Sequence, residues 1–184
     1  MSSEPVAHGG DLAAARRRYG VRDTDVDQAW IDLSTGINPV PYPIPDIAPD
    51  AWMRLPGLRE TRAYMAAASE CYGASEGAIL PIPGAQSGIA ALGRALASHA
   101  GPKVYLAPTY GEYARCFPDA TPVSDLLSIR RALDAGGVAI ICNPNNPDGR
   151  SLAAGEVLAL ADRAERRAGW LIIDESFADI APDI

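Results

Sequence analysis

The sequence predicts an α/β protein with a mainly parallel sheet sandwiched by helices, and three observations carry that expectation. Short apolar runs of strand length recur as "AILPIP" (78–83), "KVYLA" (103–107), "VAIIC" (138–142) and "WLIID" (170–174). Their apolar content is almost uninterrupted, which suits strands covered on both faces. Segments of helical period separate them, and strands alternating with helices build a parallel sheet.

The elements follow in order. Asp11 is placed to cap a helix through "LAAARRRY" that Gly20 ends, and "WIDL" (30–33) is expected as a short strand before the next loop. The proline-dense "STGINPVPYPIPDIAP" cannot hold a regular element and should run extended over the surface. Residues 58–72, "LRETRAYMAAASECY", carry a helical apolar period closed by Gly73. Beyond it the predicted helices are "QSGIAALGRALASH", "YGEYARC", "LLSIRRALDA" and "LAAGEVLALADRAERRA", each lying between two of the strands above.

At 184 residues the chain is long enough for a substantial core, and its formal net charge is −7. The basic clusters Arg16 to Arg18 and Arg166-Arg167 lie on predicted helices among acidic residues, so nucleic acid is not an expected partner. Cys71, Cys116 and Cys142 are odd in number and far apart, with two histidines in the whole chain, a pattern of reduced thiols and no structural metal. No apolar run reaches the roughly 20 residues that span a bilayer, and the N-terminus lacks a signal-type apolar core. A cytoplasmic protein without membrane contact is expected.

In parallel sheets ligands bind beyond the carboxyl ends of the strands. The exits here are "PGAQSG", "PTYGEY", "NPNNPDGR" and "DESF". Gly84, Ala85 and Gln86 open a helix with small residues, where backbone N–H groups can approach a phosphate, or where the chain simply turns. Asp174, closing an apolar strand, is either a helix or turn cap or a charge kept ionised by a buried cationic partner. Tyr110 can stack on a planar ligand or fill the core. Asn146, between Pro144 and Pro147, belongs to a stretch with more turn residues than a turn requires. One ligand satisfies all four exits at once: pyridoxal 5'-phosphate, which is planar, phosphorylated and carries a protonatable ring nitrogen. The helix N-terminus would take its phosphate, Tyr110 its ring face, Asp174 its ring nitrogen and Asn146 its ring hydroxyl.

These segments resemble the fold-type I pyridoxal-phosphate enzymes of the class I/II aminotransferase group. The resemblance rests on N-P-N-N-P-D-G followed, 25 residues after Gly149, by "DESF" at the end of an apolar strand. Within that group, "HGGD", "IDLSTGINP", "RLPGLRE", "PGAQSGIAALGRAL" and "PTYGEYARC" are similar to the threonine-phosphate decarboxylases of cobalamin synthesis and to the histidinol-phosphate aminotransferases. The resemblance implies residues 1–57 as an N-terminal arm and small-domain segment and 58–184 as part of the large cofactor domain, with the C-terminal part of the family fold absent. It implies a homodimer and a small phosphorylated amino-acid substrate contacted by His8, Gly9 and Asn38, with Asn146 beside it. The implied reaction is decarboxylation of L-threonine O-3-phosphate to aminopropanol phosphate. A histidinol-phosphate-type aminotransfer is the alternative, and a non-catalytic fragment a third reading.

The third reading arises from departures. The family attaches its cofactor to a lysine beyond the "DES" strand, whereas the single lysine here, Lys103, begins a strand. Five residues of parallel strand span about 16 Å, which places Lys103 at the edge of the sheet opposite the exits. Phe177 stands where many relatives carry a tyrosine that reaches the ring hydroxyl. Asp148 replaces the commoner threonine, and Leu55 a tyrosine that touches the partner subunit's cofactor phosphate.

Overall fold

The computed structural model describes residues 9–20, 31–38 and 40–180. The chain divides into two compact units, Met1–Ile79 and Leu80–Ile184.

In the first unit, helix α1 (Leu12–Tyr19) is capped as the sequence predicts: Asp11 Oδ1 accepts from Ala14 N at 2.8 Å, and Gly20 takes a left-handed conformation at φ 71°. Residues 31–33 form no strand, and Trp30 lies outside the described residues. Asp32 is the reason: its Oδ1 accepts from both the amide and the hydroxyl of Ser34 and bends the chain into an Asx turn. The proline-rich stretch after it is irregular and exposed, up to a four-residue helix that the sequence did not announce, α2 (Asp50–Met53). Helix α3 (Leu58–Tyr72) begins with Glu60 Oε2 accepting from Gly57 N at 3.0 Å and ends at Gly73, φ 62°. A short 3-10 turn, Glu76–Ala78, closes the unit.

The second unit holds a four-stranded sheet in the order β2-β1-β3-β4, every pair parallel. Its strands are β1 (Lys103–Leu106), β2 (Thr121–Val123), β3 (Val138–Cys142) and β4 (Trp170–Asp174). Between and before them run α4 (Ala85–Ala95), α5 (Glu112–Cys116), α6 (Leu126–Asp134) and α7 (Ala154–Arg166). Central β3 is buried along its length, and its alternate side chains feed two cores. Ala139 and Ile141 pack with Ile129, Leu133 and Leu160 of α6 and α7. Val138, Ile140 and Cys142 pack with Ile89, Tyr113 and Phe117 on the other face. The helix-covered parallel sheet expected from the apolar runs is therefore present.

Two details differ from the expectation. Residues 79–83 form no strand and Ala78 belongs to the 3-10 turn. Pro81 and Pro83 lack N–H groups, and the two-residue period puts both missing donors on the same side of the chain. Leu80 accordingly stays 80% exposed. In its place β2 completes the sheet on the outer side of β1, where its own Pro122 is tolerated because an edge strand needs donors on one side only.

Candidate active site

The carboxyl ends of β1, β3 and β4 and the first turn of α4 surround a cavity of about 190 Å³. It is lined by Ala85, Gln86, Ile89, Tyr110, Cys142, Asn146, Asp174, Ser176 and Phe177. Of the residues singled out in the sequence, Ala85, Gln86, Tyr110, Asn146 and Asp174 thus share one wall system. Gly84 directly precedes it as the N-cap of α4, at φ 88°. Gly9 and Asn38 belong to the first unit, and His8 lies outside the described residues. Gly9 has no room for a side chain, since a Cβ would meet Ser34 O at 2.0 Å, and Asn38 Oδ1 accepts from Val40 N at 2.9 Å.

Asp174 lies opposite Cys142 in the β3–β4 register. Ser176 donates to its Oδ1 through both amide (3.0 Å) and hydroxyl (2.6 Å), and Tyr113 donates its hydroxyl to Oδ2 at 2.7 Å. The cap reading and the ligand reading of Asp174 are thus compatible. Oδ1 closes the turn, while Oδ2 holds one donor and keeps a second lone pair. Among the described residues no cationic side chain pairs with Asp174; two hydroxyls and an amide hold it instead. Tyr113 is fully buried. Burial, followed by its hydrogen bond to Asp174, pushes the phenol well above its usual range, so it remains a donor. Tyr113 was missed in the sequence, although it sits three residues after Tyr110, the spacing that puts two helical side chains together. Their rings meet edge to face at 5.8 Å. Ser176 was equally legible, as the second residue after an aspartate that ends a strand.

At the opposite wall, α4 starts without a side-chain cap, and a Cβ on Gly84 would meet nothing within 4 Å. Gly84 N and Ser87 N are paired with Ile82 O and Gly84 O, which leaves the N–H groups of Ala85 and Gln86 as the orphan donors of the first turn, beside the open space at Gly84. Among the described residues no lysine, arginine or histidine lines the cavity, so on this wall an anion would be held by those amides and the helix dipole. Gln86 is held by Glu112, whose Oε2 accepts its Nε2 at 2.7 Å and also receives Arg115 Nε at 2.7 Å. Gln86 Oε1 is buried with no hydrogen-bond partner among the described residues. Glu112, only 3% exposed, had no signal in the sequence beyond its place in "PTYGEY".

The three asparagines separate into two roles. Asn143 and Asn145 are buried and spent on the surrounding backbone: Asn143 exchanges two hydrogen bonds with Leu152, and Asn145 bonds Pro108, Thr109 and Asp148. Asn146 alone reaches the cavity, and its side chain has no hydrogen-bond partner among the described residues. Asp148 is exposed, as expected of a turn residue, and the amide of Asn145 holds its carboxyl below the usual range.

Comparison with known proteins decides which chemistry such a cavity serves. The family model for aminotransferase class I and II matches residues 53–183. The chain belongs to the class I and II aminotransferases. A threonine-phosphate decarboxylase of a Sinorhizobium species is 41% identical over 183 residues, covering 99% of this chain and 54% of that protein. A second threonine-phosphate decarboxylase, from Pseudomonas aeruginosa, is 39% identical over 180 residues, or 96% of this chain and 51% of its own length. The chain thus spans about half the length of the curated relatives it matches. A histidinol-phosphate aminotransferase from Sinorhizobium meliloti, solved with pyridoxal 5'-phosphate, shares the fold with a TM-score of 0.57 at 20% identity, over 72% of this chain and 39% of that one. Pyridoxal phosphate is the cofactor of the aminotransferase family.

The cavity suits that group. It offers uncapped helix N–H groups for a phosphate, the ring of Tyr110, a free amide on Asn146 and an oriented carboxylate on Asp174. Lys103 lies elsewhere, as predicted. It opens β1 at the far end of the strand from the exits, 6% exposed, donating to Ala97 O at 3.0 Å and ion-paired with Asp119. Borohydride treatment of the chain with pyridoxal phosphate is therefore expected to leave Lys103 unlabelled in the mapped peptides. Stoichiometric label there would show that its amine can leave Asp119 and reach a cofactor.

Proposed function

We propose that this chain supplies the cofactor-binding wall of a pyridoxal-phosphate-dependent decarboxylase that converts L-threonine O-3-phosphate to aminopropanol phosphate. The observation that carries the reading is the convergence of the α4 N-terminus, Tyr110, Asn146 and Asp174 on one cavity. The threonine-phosphate decarboxylases that match nearly the whole chain support the choice of reaction. Residues 1–57 serve as the arm and small-domain segment and 58–184 as part of the large domain, with His8, Gly9 and Asn38 toward the substrate. The working form is a cytoplasmic homodimer. Among the described residues no helix is long and apolar enough to cross a membrane.

Each residue has a stated task. The first-turn amides of Ala85 and Gln86 bind the cofactor phosphate beside Gly84, whose own N–H is spent on Ile82 O at 2.8 Å; Tyr110 covers one ring face, and Asn146 donates its amide to the ring hydroxyl. Asp174 keeps the ring nitrogen protonated, and Tyr113 and Ser176 orient that carboxylate. When bound, the cofactor supplies an electron sink for the pair left behind as the substrate carboxylate departs as CO₂. Apolar Ile89, Cys142 and Phe177 keep water from the ring. With Phe177 lacking a hydroxyl, Asn146 is the donor assigned to the ring hydroxyl on this wall.

The test has two parts. Titrating the 184-residue chain with pyridoxal phosphate, followed by visible absorbance, should give saturable binding that Asn146→Ala weakens about 5- to 30-fold, the effect of one to two kcal/mol. A chain of the relatives' full length should release CO₂ from L-threonine O-3-phosphate. Amino transfer from histidinol phosphate without CO₂ release would replace the decarboxylase with the aminotransferase alternative. Absence of saturable binding would overturn the cofactor assignment.

A further inference from the structure

We propose that Asn145 is a positioning residue that sets Tyr110 and Asn146 as one unit, an inference that rests on the cofactor site proposed above. The β1–β3 ladder runs from Lys103↔Val138 to Tyr105↔Ile140 and is not continued to the strand exits. Past it, Ala107 N turns away to bond Val123 O of β2 at 2.7 Å. The two exits that carry Tyr110 and Asn146 thus leave the sheet as separate loops. Pro108, Pro144 and Pro147 have no N–H with which a backbone bond between them could be made.

Side chains bridge that gap, and Asn145 makes the short contacts. Asn145, 6% exposed, donates Nδ2 to Pro108 O at 2.8 Å and accepts the hydroxyl of Thr109 on Oδ1 at 2.8 Å. The residues it grips stand immediately before Tyr110, and Asn145 itself immediately before Asn146. Its second Nδ2 proton goes to Asp148 Oδ1 at 2.7 Å, and its backbone pairs with Arg150 O and Gly149 N, both at 2.8 Å. The amide is therefore fixed on its own turn while it reaches across. Arg150 Nη2 adds a longer contact to Ala107 O at 3.4 Å. The side chain of Asn143, by contrast, bonds to Leu152 alone among the described residues, at 3.1 and 2.7 Å, closing its loop toward α7, while its N–H goes to Asp174 O at 2.9 Å. A buried amide has both a donor and an acceptor to give, so one residue can hold two points of the facing loop and fix its rotation as well as its distance.

Amide hydrogen exchange and pyridoxal phosphate affinity, measured on the 184-residue chain and on Asn145→Ala, Thr109→Val and the double variant, test this. Both single variants should speed exchange in the β1 exit (107–113) and in the β3 exit (143–150), and should weaken pyridoxal phosphate about 5- to 30-fold. The double variant should be no worse than Asn145→Ala, since the two residues share one interaction. Thr109→Val changes a single hydroxyl, so it carries the test if Asn145→Ala does not fold. Faster exchange confined to 143–150 would overturn the proposal, as would a fall in melting temperature with affinity unchanged where both chains are folded. If the exits respond together but the parent chain binds no pyridoxal phosphate, the cofactor reading fails while the coupling of the two exits stands.

Discussion

Replacing Asp174 by alanine should lower turnover on the order of 100- to 1,000-fold, the loss typical when one preorganised group is removed from a reacting centre. The assay requires a chain of the relatives' full length, of which these residues cover 54%. Some cofactor should remain bound, because the α4 amides and Asn146 are untouched, whereas the ring nitrogen loses the carboxylate that keeps it protonated. Tyr113→Phe should have a smaller effect in the same direction. It removes one hydrogen bond to Oδ2 and leaves the two from Ser176 on Oδ1. Turnover like the parent's in Asp174→Ala would reduce Asp174 to the cap of the turn at Ser176.

Leu133→Ala should destabilise the chain by about 2–5 kcal/mol, the cost of deleting a buried leucine side chain and leaving a cavity. Leu133 is fully buried on α6, in the core that α6 and α7 form against Val104, Leu106, Ala139 and Ile141. Those strand residues lead directly to the exits that carry Tyr110 and Asn146, so loss of this packing loosens the floor of the site. Leu158, on the exposed side of α7, is the control: its alanine variant should stay within about 0.5 kcal/mol of the parent. Chemical denaturation of the three chains measures both. Equal midpoints for Leu133→Ala and the parent would contradict the packing described.

How much was legible depends on how local the deciding physics is. The helix at 12–19 was, because Asp11 and Gly20 act within one turn of it. So were β3 and β4, because five and four apolar residues in a row have few other uses in a chain of this length. "WIDL" was misread because Asp32, three atoms of side chain away from the next amides, competes with any ladder. "AILPIP" was misread because its apolar content outweighed its two prolines, although the prolines alone argue against a strand. Thr121–Val123 is too short to announce itself and exists because β1 offers it an edge.

Residue types and spacing by themselves determined the alternation of β1, β3 and β4 with helices, the place of those three strand exits with Tyr110, Asn146 and Asp174 at them, and Gly84, Ala85 and Gln86 as the start of a helix. Each of these follows from interactions with near neighbours in the chain. Only the tertiary structure decided that Asn143 and Asn145 are spent on the surrounding backbone, that Asp174 is held by Tyr113 from 61 positions away, and that Asn145 joins loops 37 positions apart. A hydrogen bond between distant residues leaves no period or composition in the sequence. It depends on a few tenths of an ångström of geometry, which exists only after the parallel strands have paired and brought their ends to one edge.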